Sequence, residues 1–411
     1  MKNKVTMPNQ YKSDRVIIVG AGPVGLFAAV RLVNFGIPIT LIDKIPTVSN
    51  DMRASTIHPP SLEMMAPYGI TKKILETGIK VPQWQIRNHT TGDKVVFDLN
   101  YIADETEYPY RVQFEQSKIC EIINDLLERH PLSDICYGTE FIAFSQDKNG
   151  VSVKVSKDNQ ENTIHGRFLI GADGGSSAVR QQLGVEFKGS IYPERTVLVT
   201  TTFPFDLHID ELSSVSYCWS KNGNFSLLQL PDLWRASLYF PENMSPDEAL
   251  AEEHVQQQLK EICPIDGRFE ILDKRVYRVH QRIVNQYNHD RVILAGDAAH
   301  LNSPSGGMGM NGGLHDAHNL TEKLNIIWSE GNIDNHNKLL DLYSRQRKPI
   351  AEEQIIKQAD ENRKRMTEKN YQKRQKSLEA LQVIEKDPVM CKAFLMKSSM
   401  FEGLRKAEEI I

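Results

Sequence analysis

Residues 16–25 read Val-Ile-Ile-Val-Gly-Ala-Gly-Pro-Val-Gly and decide the fold of this 411-residue chain. The apolar run 16–19 predicts a buried parallel strand, because such strands are covered on both faces and carry apolar side chains throughout. Pro23 suits the first turn of a helix, where its missing N–H group removes no hydrogen bond. A strand, a tight turn and a helix in this order are typical of the first unit of a doubly wound α/β domain.

The glycines of this turn have the spacing of a nucleotide-binding site. Gly20 permits the turn, Gly22 lets the backbone approach a diphosphate, and Gly25 lets the helix pack closely on the strand. A second apolar run leads to Asp43, 23 residues after Gly20, and a carboxylate there would accept hydrogen bonds from adenosine ribose hydroxyls. The pattern predicts an adenine dinucleotide, either FAD or NAD; the alternative is a glycine-rich turn in an ordinary α/β domain.

Composition narrows the class of protein. A net charge of −4 argues against a nucleic-acid partner. The five cysteines are scattered, so neither a disulfide framework nor a thiolate metal site is expected. Residues 1–14 lack the apolar core of a secretory signal, and glycine and proline interrupt residues 16–33 too often for a membrane span. We therefore expect a cytoplasmic protein without a metal or a membrane segment.

Two later stretches repeat the pattern of strand, acid and glycine. Residues 168–171 predict a short strand that leads to Asp173 and Gly174. Residues 291–296 predict another strand, which leads to Asp297. Each stretch therefore delivers a carboxylate to a turn at the end of a strand, as the first unit does at Asp43.

A glycine-rich loop, residues 303–313, follows the third acid and contains Pro304. A helix is expected after it, from about residue 311 to 328. Backbone N–H groups left bare by glycine suit an anion or the electron-rich edge of a planar ring. A flexible loop is the alternative interpretation.

Residues 53–58 precede Pro59-Pro60 and are expected to form an exposed connection into a short helix that ends near residue 67. Arg53 would then be available for a phosphate. Two interpretations of His58 remain open: a group that contacts ligand or handles a proton, because histidine titrates near neutral pH, or a cap of the following helix. Gln116 is expected to open an amphipathic helix.

Residues 186–285 change to alternating apolar patterns and predict an antiparallel sheet inserted into the nucleotide domain. A hairpin is expected around residues 221–224. Its aromatic face includes Tyr217 and Trp219, which would either line a substrate pocket or form core.

Residues 334–411 have a helical pattern. The basic runs 363–365 and 373–374 invite a nucleic-acid interpretation, but glutamates are interspersed and no set of stacking aromatics accompanies them. We expect both runs to lie on a solvated helix face.

The segments around Gly20, Asp173 and Asp297, in this order and at these separations, resemble those of the class A flavoprotein aromatic hydroxylases. These are single-component FAD monooxygenases of the para-hydroxybenzoate hydroxylase type, and the resemblance covers residues 14 to about 350. It implies an α/β fold with a Rossmann-like FAD-binding domain, an inserted antiparallel β-sheet substrate domain and a helical C-terminus. The implied division is an FAD-binding domain of residues 14–80, 116–185 and 286–333, a substrate domain of residues 81–115 and 186–285, and C-terminal helices of residues 334–411.

The resemblance also implies noncovalent FAD and distributes its contacts over the motifs already described. The implied contacts are the diphosphate with Gly20, Gly22 and Gly25, the adenosine ribose with Asp43, further FAD contacts with Arg53 and Gln116, FAD and nicotinamide with Asp173 and Gly174, the ribityl chain with Asp297, the flavin ring with Pro304, and its pyrimidine end with Gly309, Met310 and Asn311. The chain departs from the family pattern at His58, where arginine is frequent, and at Met308, where many relatives carry glutamine.

The implied reaction consumes NADH or NADPH and O2 and hydroxylates a small aromatic or heteroaromatic ring through a C4a-hydroperoxyflavin. The protein's tasks would be orientation, exclusion of water and flavin electrostatics. His58 is the candidate base for a substrate hydroxyl. Few cationic side chains are recognisable around the predicted aromatic face. Both a monomer and a homodimer remain open from the sequence.

Four alternative functions differ in the sequence features or reactions that they require. A flavin halogenase should carry a Trp-x-Trp-x-Ile-Pro segment, which the chain lacks. A flavin-dependent dehydrogenase or reductase of the same fold would act without oxygen insertion, and a flavin-binding sensor would not oxidise NAD(P)H. A metal hydrolase could use His315 and His318 with Asp297 or Asp316, but we expect these histidines to lie on a helix surface.

Overall fold

The computed structural model describes residues 13–50, 54–221, 223–240, 243–330 and 336–411. The strands are, in chain order, β1 (Val16–Val19), β2 (Ile39–Asp43), β3 (Thr56–Ile57), β4 (Ile79–Val81), β5 (Gln83–Asn88), β6 (Lys94–Asp98), β7 (Arg111–Gln113), β8 (Ser133–Tyr137), β9 (Glu140–Asp147), β10 (Gly150–Lys157), β11 (Gln160–Gly166), β12 (Phe168–Gly171), β13 (Phe187–Thr201), β14 (Val215–Trp219), β15 (Asn224–Leu230), β16 (Leu233–Phe240), β17 (Ile271–Val284), β18 (Asn288–His289), β19 (Val292–Leu294) and β20 (His300–Leu301).

The helices follow the same numbering. They are α1 (Pro23–Asn34), α2 (Pro59–Met65), α3 (Ile70–Thr77), α4 (Gln116–Leu127), α5 (Ala178–Leu183), α6 (Pro246–Leu250), α7 (Glu252–Ile262), α8 (Met308–Ser329), α9 (His336–Ile350), α10 (Lys357–Thr367), α11 (Tyr371–Lys386), α12 (Pro388–Ser398) and α13 (Phe401–Glu408). Short 3₁₀ helices lie at Ala66–Tyr68, Leu99–Ile102, Phe205–Leu207 and Gly296–Ala298, and a π-helical segment at Ala351–Ile356 joins α9 to α10.

The first sheet has the strand order β18-β19-β12-β1-β2-β8. Its pairings are parallel except between β18 and β19. The strands β1, β2, β12 and β19 are buried apart from the half-exposed last residue of β2, because α1 and α8 belong to the same hydrophobic cluster as the sheet. The Rossmann-like unit predicted from residues 16–25 is confirmed.

The second large sheet has the order β20-β17-β13-β16-β15-β14-β5-β6. The predicted hairpin is confirmed, since β14 and β15 pair antiparallel with Trp219 opposite Asn224. The prediction of an inserted antiparallel sheet is confirmed with one difference, because β14 and β5 run parallel. The strands β5 and β6 are far away in sequence yet extend this sheet; the domain boundaries themselves stay predictions.

The C-terminal helices are confirmed for the part of residues 334–411 that the structure describes. They do not stand apart from the sheets, because Met366, Leu381 and Leu395 share a hydrophobic cluster with Trp84 and Phe97 of β5 and β6. Helix α10 and helix α12 are thereby held over one end of the large sheet. In the described ranges, no helix is both long and apolar enough to span a membrane.

The helix predicted from residue 311 begins earlier, at Met308. Gly306 and Gly307 adopt φ values of 95° and 68°, which glycine tolerates and other residues rarely adopt. The chain can therefore reverse within these two residues and enter the helix at once. Gly309, Met310 and Asn311 form the first turn of α8 rather than a loop before it.

Candidate active site

The acids of the three motifs follow neighbouring strands at one edge of the first sheet. The pairings align Ile42 of β2 with Val19 of β1, Val19 with Gly171 of β12, and Gly171 with Leu294 of β19. Asp43, Gly20, Asp173 and Asp297 each follow this row within three residues. Ligands of doubly wound folds bind at this carboxyl edge. The sheet topology therefore places these four residues at one edge although they are far apart in the sequence.

The three glycines of the first turn have three different surroundings. Gly20 has a φ of 108°, and a Cβ atom added there would lie 2.3 Å from the Ala172 carbonyl oxygen. A Cβ atom on Gly25 would lie 2.0 Å from the Gly20 carbonyl oxygen. A Cβ atom on Gly22 would meet nothing within 4 Å. Two glycines are therefore required by packing, and the third faces open space at the start of α1.

Asp43 is held by the backbone at the end of β2. Its Oδ2 atom accepts a hydrogen bond from the Ala21 N–H group at 2.7 Å, and its Oδ1 atom accepts one from Ile45 at 2.8 Å. A carboxylate has about four lone-pair sites. It can therefore still accept hydroxyl donors at the sheet edge.

Asp173 is positioned by the start of α5. Its carboxylate accepts hydrogen bonds from the Ser177 hydroxyl and from the N–H groups of Ala178 and Val179. Burial raises the pKa of Asp173, and these hydrogen bonds oppose that effect. Gly174, with a φ of 79°, has no atom within 4 Å of an added Cβ atom, so this turn is also open on one side.

Asp297 is half-buried in the 3₁₀ turn after β19. The turn is supported by Asp316 of α8, whose Oδ2 atom accepts a hydrogen bond from the Gly296 N–H group at 3.1 Å. Asp316 also contacts His300 Nε2 at 2.8 Å and Arg347 Nε at 2.7 Å. Burial alone would raise the pKa of Asp316, but Arg347 and His300 lower it to about 2.

The glycine-rich loop is fixed from both sides. His58 Nε2 lies 2.9 Å from the Gly306 carbonyl oxygen. The Asn311 side chain donates to the carbonyl oxygens of Thr56 and Gly307 at 2.9 and 2.7 Å. Pro304, in the same loop, is exposed. The loop therefore presents a fixed backbone rather than a flexible one.

His58 occupies the N-cap position of α2, but its side chain makes no capping hydrogen bond. Burial, helped by the charge of Arg111, lowers the pKa of His58 to about 3. The ring is neutral near pH 7, and the contact with a carbonyl oxygen requires the tautomer protonated at Nε2. His58 lies behind Gly306 and is absent from the lining of the cavity described next.

The cavity encloses about 680 Å³ of empty space, part of it open to solvent, between the large sheet, the glycine loop and two C-terminal helices. Its lining comes from β5, β7, β14, residues 305–308, α10 and α12. Tyr217 lines the cavity. Trp219 does not: it lies in the hydrophobic cluster, and its Nε1 atom donates to the Arg365 carbonyl oxygen at 3.0 Å.

Arg111 is a buried cation that lines the cavity. Its side chain is 2% exposed, and its guanidinium lies 4.7 Å from the centre of the Trp84 ring. Burial lowers its pKa, and the neighbouring Tyr217 opposes that effect. No carboxylate of the described residues forms an ion pair with it. A guanidinium stays charged in proteins, so this cavity contains a buried positive charge without a fixed counterion.

Arg111 was not predicted as a site residue, because a single arginine in a short strand carries no local signal of a site. The solvated position predicted for the whole basic run 363–365 was also wrong. Arg365 lines the cavity, and Arg363 lies 4.0 Å from the centre of the Tyr192 ring. Only Lys364 has the solvated position predicted for this run.

Two further expectations need correction. His315 is not a surface histidine, since it is 2% exposed with Nε2 lying 3.3 Å from the Ser61 hydroxyl. Gly309 lies within helix α8, so it belongs to the helix and not to the glycine-rich loop predicted for residues 303–313. Within the described ranges, no group of three metal-ligating side chains is found. The N–H group of Gln116 donates a hydrogen bond to the Ala54 carbonyl oxygen. Arg53, next to Ala54, lies outside the described residues.

The residues at the sheet edge fit an FAD molecule. Gly22 and Gly174 leave open space where a diphosphate and its neighbouring groups would lie. Helices α1 and α8 begin without a side-chain cap and without an acid in the first turn. Their first N–H groups and helix dipoles are therefore available to a negative or electron-rich group.

Comparisons with known proteins agree with this geometry. A family model described as "FAD binding domain" matches residues 14–359. The chain is 29% identical over 358 residues to 6-hydroxy-3-succinoylpyridine 3-monooxygenase of Pseudomonas putida (strain DSM 28022 / S16), covering 85% of this chain and 88% of the relative. It is 28% identical over 402 residues to para-nitrophenol 4-monooxygenase of Pseudomonas sp. (strain WBC-3), covering 96% and 98%.

The crystal structure of p-nitrophenol 4-monooxygenase from Pseudomonas putida DLL-E4 superposes with a TM-score of 0.88 at 27% identity, over 95% of this chain and 98% of that one. The dehydrogenase alternative is not favoured, because the relatives are named monooxygenases. The chain therefore belongs to the FAD-binding-domain family, and it is an FAD-dependent monooxygenase of the aromatic hydroxylase type that uses NAD(P)H and O2 to hydroxylate a small aromatic or heteroaromatic substrate.

Proposed function

We propose that the substrate is a hydroxyarene or hydroxypyridine whose ring oxygen binds, as an oxyanion, to Arg111 and Tyr217. The observation that carries the proposal is the buried guanidinium of Arg111, which lines the cavity without a carboxylate partner among the described residues. Burying an unpaired charge is costly. An anionic ligand oxygen supplies the missing partner.

Tyr217 supports the same assignment. It lines the cavity together with Arg111, and the charge of Arg111 acts on its hydroxyl group. A phenolic hydroxyl can donate its proton to an oxygen acceptor. Burial raises the pKa of Tyr217, so this proton is retained near neutral pH. Arg111 and Tyr217 thus form a pair of donors suited to one oxygen atom.

Aromatic side chains support a planar ring in this cavity. Trp84 and Phe394 both line it, with ring centroids 6.1 Å apart and an angle of 26° between their planes. Such flat walls favour stacking with an aromatic ring and exclude water. An oxyanion on the ring would also activate it towards an electrophilic oxygen. The relatives named above act on a hydroxypyridine and a nitrophenol by their names.

The roles of the cofactor-binding residues belong to the proposal as well. When bound, FAD supplies redox chemistry with NAD(P)H and O2, and this chain binds, orients and shields the reacting groups. The proposed contacts are the diphosphate with Gly20, Gly22 and Gly25, the ribose with Asp43, nearby FAD groups with Arg53, Gln116, Asp173 and Gly174, the ribityl chain with Asp297, and the ring with Pro304, Gly309, Met310 and Asn311. His58 is proposed to position Gly306 rather than to act as base.

The test compares 4-nitrophenol with its O-methyl ether, 4-nitroanisole, in the FAD-loaded enzyme. Binding is followed by the change in the flavin spectrum, and turnover by NAD(P)H oxidation, O2 uptake and hydroxylated product. We expect the phenol to bind at least about tenfold more tightly, because a charge-assisted hydrogen bond contributes about 1.5–3 kcal/mol. Its affinity should rise with pH as the free phenol ionises.

The proposal fails if the ether binds as well as the phenol, or if phenol affinity does not change across its ionisation. The monooxygenase assignment has a separate readout, which is hydroxylated product from any ring substrate.

A homodimer and a cytoplasmic location are proposed too. None of the five cysteines, all of which the structure describes, forms a disulfide, in agreement with a reducing compartment. Light scattering on purified protein tests the dimer.

A further inference from the structure

The C-terminal helices form one wall of the substrate cavity. Helix α10 contributes Glu361 and Arg365, and helix α12 contributes Phe394 and Lys397. These side chains lie beyond residue 359, where the match to the family model ends. The motifs that identify the family therefore carry no information about this wall.

The wall is positively charged. Arg365 and Lys397 are cations, and Glu361 is the anion that faces them. The ion pair between Lys397 Nζ and Glu361 Oε2 is 3.8 Å long and about half-exposed, so it is loose and easily exchanged. Arg365 uses Nη1 for a neutral partner, the Asn362 amide oxygen at 3.1 Å. One carboxylate is thus shared between two cations.

The cavity has two cationic regions. Arg111 is 2% exposed, whereas the Lys397 side chain is 41% exposed. The two cationic regions therefore differ in depth.

We infer that Arg365 and Lys397 form a second anion subsite, so that the preferred substrates carry a carboxylate side chain in addition to the ring hydroxyl. This inference rests on the proposed function, which places the ring oxygen at Arg111. Arg365 offers a planar fork of donors that matches a carboxylate. Lys397, at the opening, attracts the acid by its charge.

Glu361 controls how much more tightly a ligand with a carboxylate binds than a neutral ligand. Its carboxylate competes with the ligand carboxylate for both cations, because it pairs with Lys397 and raises the pKa of Arg365 against the effect of burial. Removal of the Glu361 charge should tighten the binding of acids and leave neutral ligands unchanged. Loss of either cation should have the opposite effect.

The test uses four ligands in two matched pairs. They are 3-(4-hydroxyphenyl)propionate, its primary amide, and the O-methyl ethers of both. Dissociation constants are measured from the flavin spectrum of the oxidised, FAD-loaded enzyme, so the readout does not depend on turnover. Acid against amide reports the second subsite, and hydroxyl against ether reports Arg111. Failure of one contrast leaves the other intact, which separates this inference from the proposed function.

We expect the acids to bind about tenfold or more tightly than the amides in the unmodified enzyme. Lys397→Gln should weaken the acids about two- to fivefold, Arg365→Gln about tenfold, and Glu361→Gln should tighten them about two- to fivefold, with the amides unchanged. The control is Lys376→Gln, which removes an exposed lysine of α11 and should change nothing.

Equal affinity for acid and amide in the unmodified enzyme would overturn the inference. So would parallel losses for acid and amide in Lys397→Gln. Arg365 is partly buried, and its replacement could disturb α10; Lys397→Gln and Glu361→Gln concern half-exposed side chains and keep the test decisive. Tighter acid binding by Glu361→Gln is the outcome that a purely structural role of this wall would not produce.

Discussion

The carboxyl edge of the first sheet, where FAD is proposed to bind, and the cavity proposed for the substrate are built in different ways. The edge is made of three motifs, each a continuous segment in which a strand is followed by a turn with an acid. Parallel pairing of the strands aligns the three turns. The cavity takes single side chains from distant segments, such as Trp84, Arg111, Tyr217 and Lys397. Function at the edge therefore depends on backbone shape. Function in the cavity depends on a few isolated charges and rings.

The largest expected effect tests the role of backbone shape at the edge. Gly25→Val places a Cβ atom 2.0 Å from the Gly20 carbonyl oxygen, and we expect no folded, flavin-binding protein. Gly22→Ala adds an atom in open space and should leave apoprotein stability within about 1 kcal/mol, while FAD affinity falls. Urea unfolding and FAD titration measure the two quantities. Equal loss of stability in both variants would contradict the distinction.

The next effect separates two acids near the same turn. Asp316→Asn leaves Arg347 without its buried carboxylate and should lower the free energy of unfolding by about 3–5 kcal/mol. Asp297→Ala should instead weaken FAD binding by about 1.5–3 kcal/mol for each charge-assisted hydrogen bond lost. Denaturation of apoprotein and FAD titration are compared for both. If Asp297→Ala unfolds the protein without a change in FAD affinity, its role is structural.

A smaller effect concerns the cavity, where we expect weaker ligand binding without a loss of stability. Arg111→Met removes a buried charge that has no ion-pair partner among the described residues, so stability should change by no more than about 1 kcal/mol. Binding of 4-nitrophenol should weaken by about 1.5–3 kcal/mol, with 4-nitroanisole unaffected. Thermal unfolding and ligand titration provide the measurements. A large loss of stability would make Arg111 part of the scaffold, like Gly25.

The smallest effect concerns His58, which contacts the Gly306 carbonyl oxygen of the glycine loop. Its pKa is about 3 in the folded protein and about 6.5 when unfolded. Between these values the unfolded chain binds the additional proton, so stability falls as the pH is lowered. From pH 7 to pH 5.5 this amounts to about 1 kcal/mol. His58→Gln cannot titrate and should lose that much less stability over the same interval in denaturant unfolding.

His58→Gln retains a side-chain donor for the Gly306 carbonyl oxygen, which makes it a matched replacement. If His58 positions the loop, this variant should keep its kcat within a few-fold of the unmodified enzyme. Loss of most activity with unchanged FAD and substrate binding would restore His58 as a base.

The sequence predicted the fold well where short segments encode it. The strand at residues 16–19, the hairpin after Trp219 and the start of α4 at Gln116 all follow from local patterns and are confirmed. The prediction was wrong for the start of α8, because apolar periodicity does not reveal where Gly306 and Gly307 reverse the chain. It was also wrong for His315, since its burial depends on packing against α2.

The sequence by itself determined the cofactor and the class of chemistry, because the motifs that identify the family are backbone turns whose glycines and acids occur at fixed spacings. Only the tertiary structure decided which side chains line the cavity. Arg111, Tyr217, Arg365 and Lys397 come from β7, β14, α10 and α12, and no spacing rule relates them. Their meeting depends on how the large sheet and the C-terminal helices pack, and that packing also leaves Arg111 without a fixed counterion in the described part of the chain.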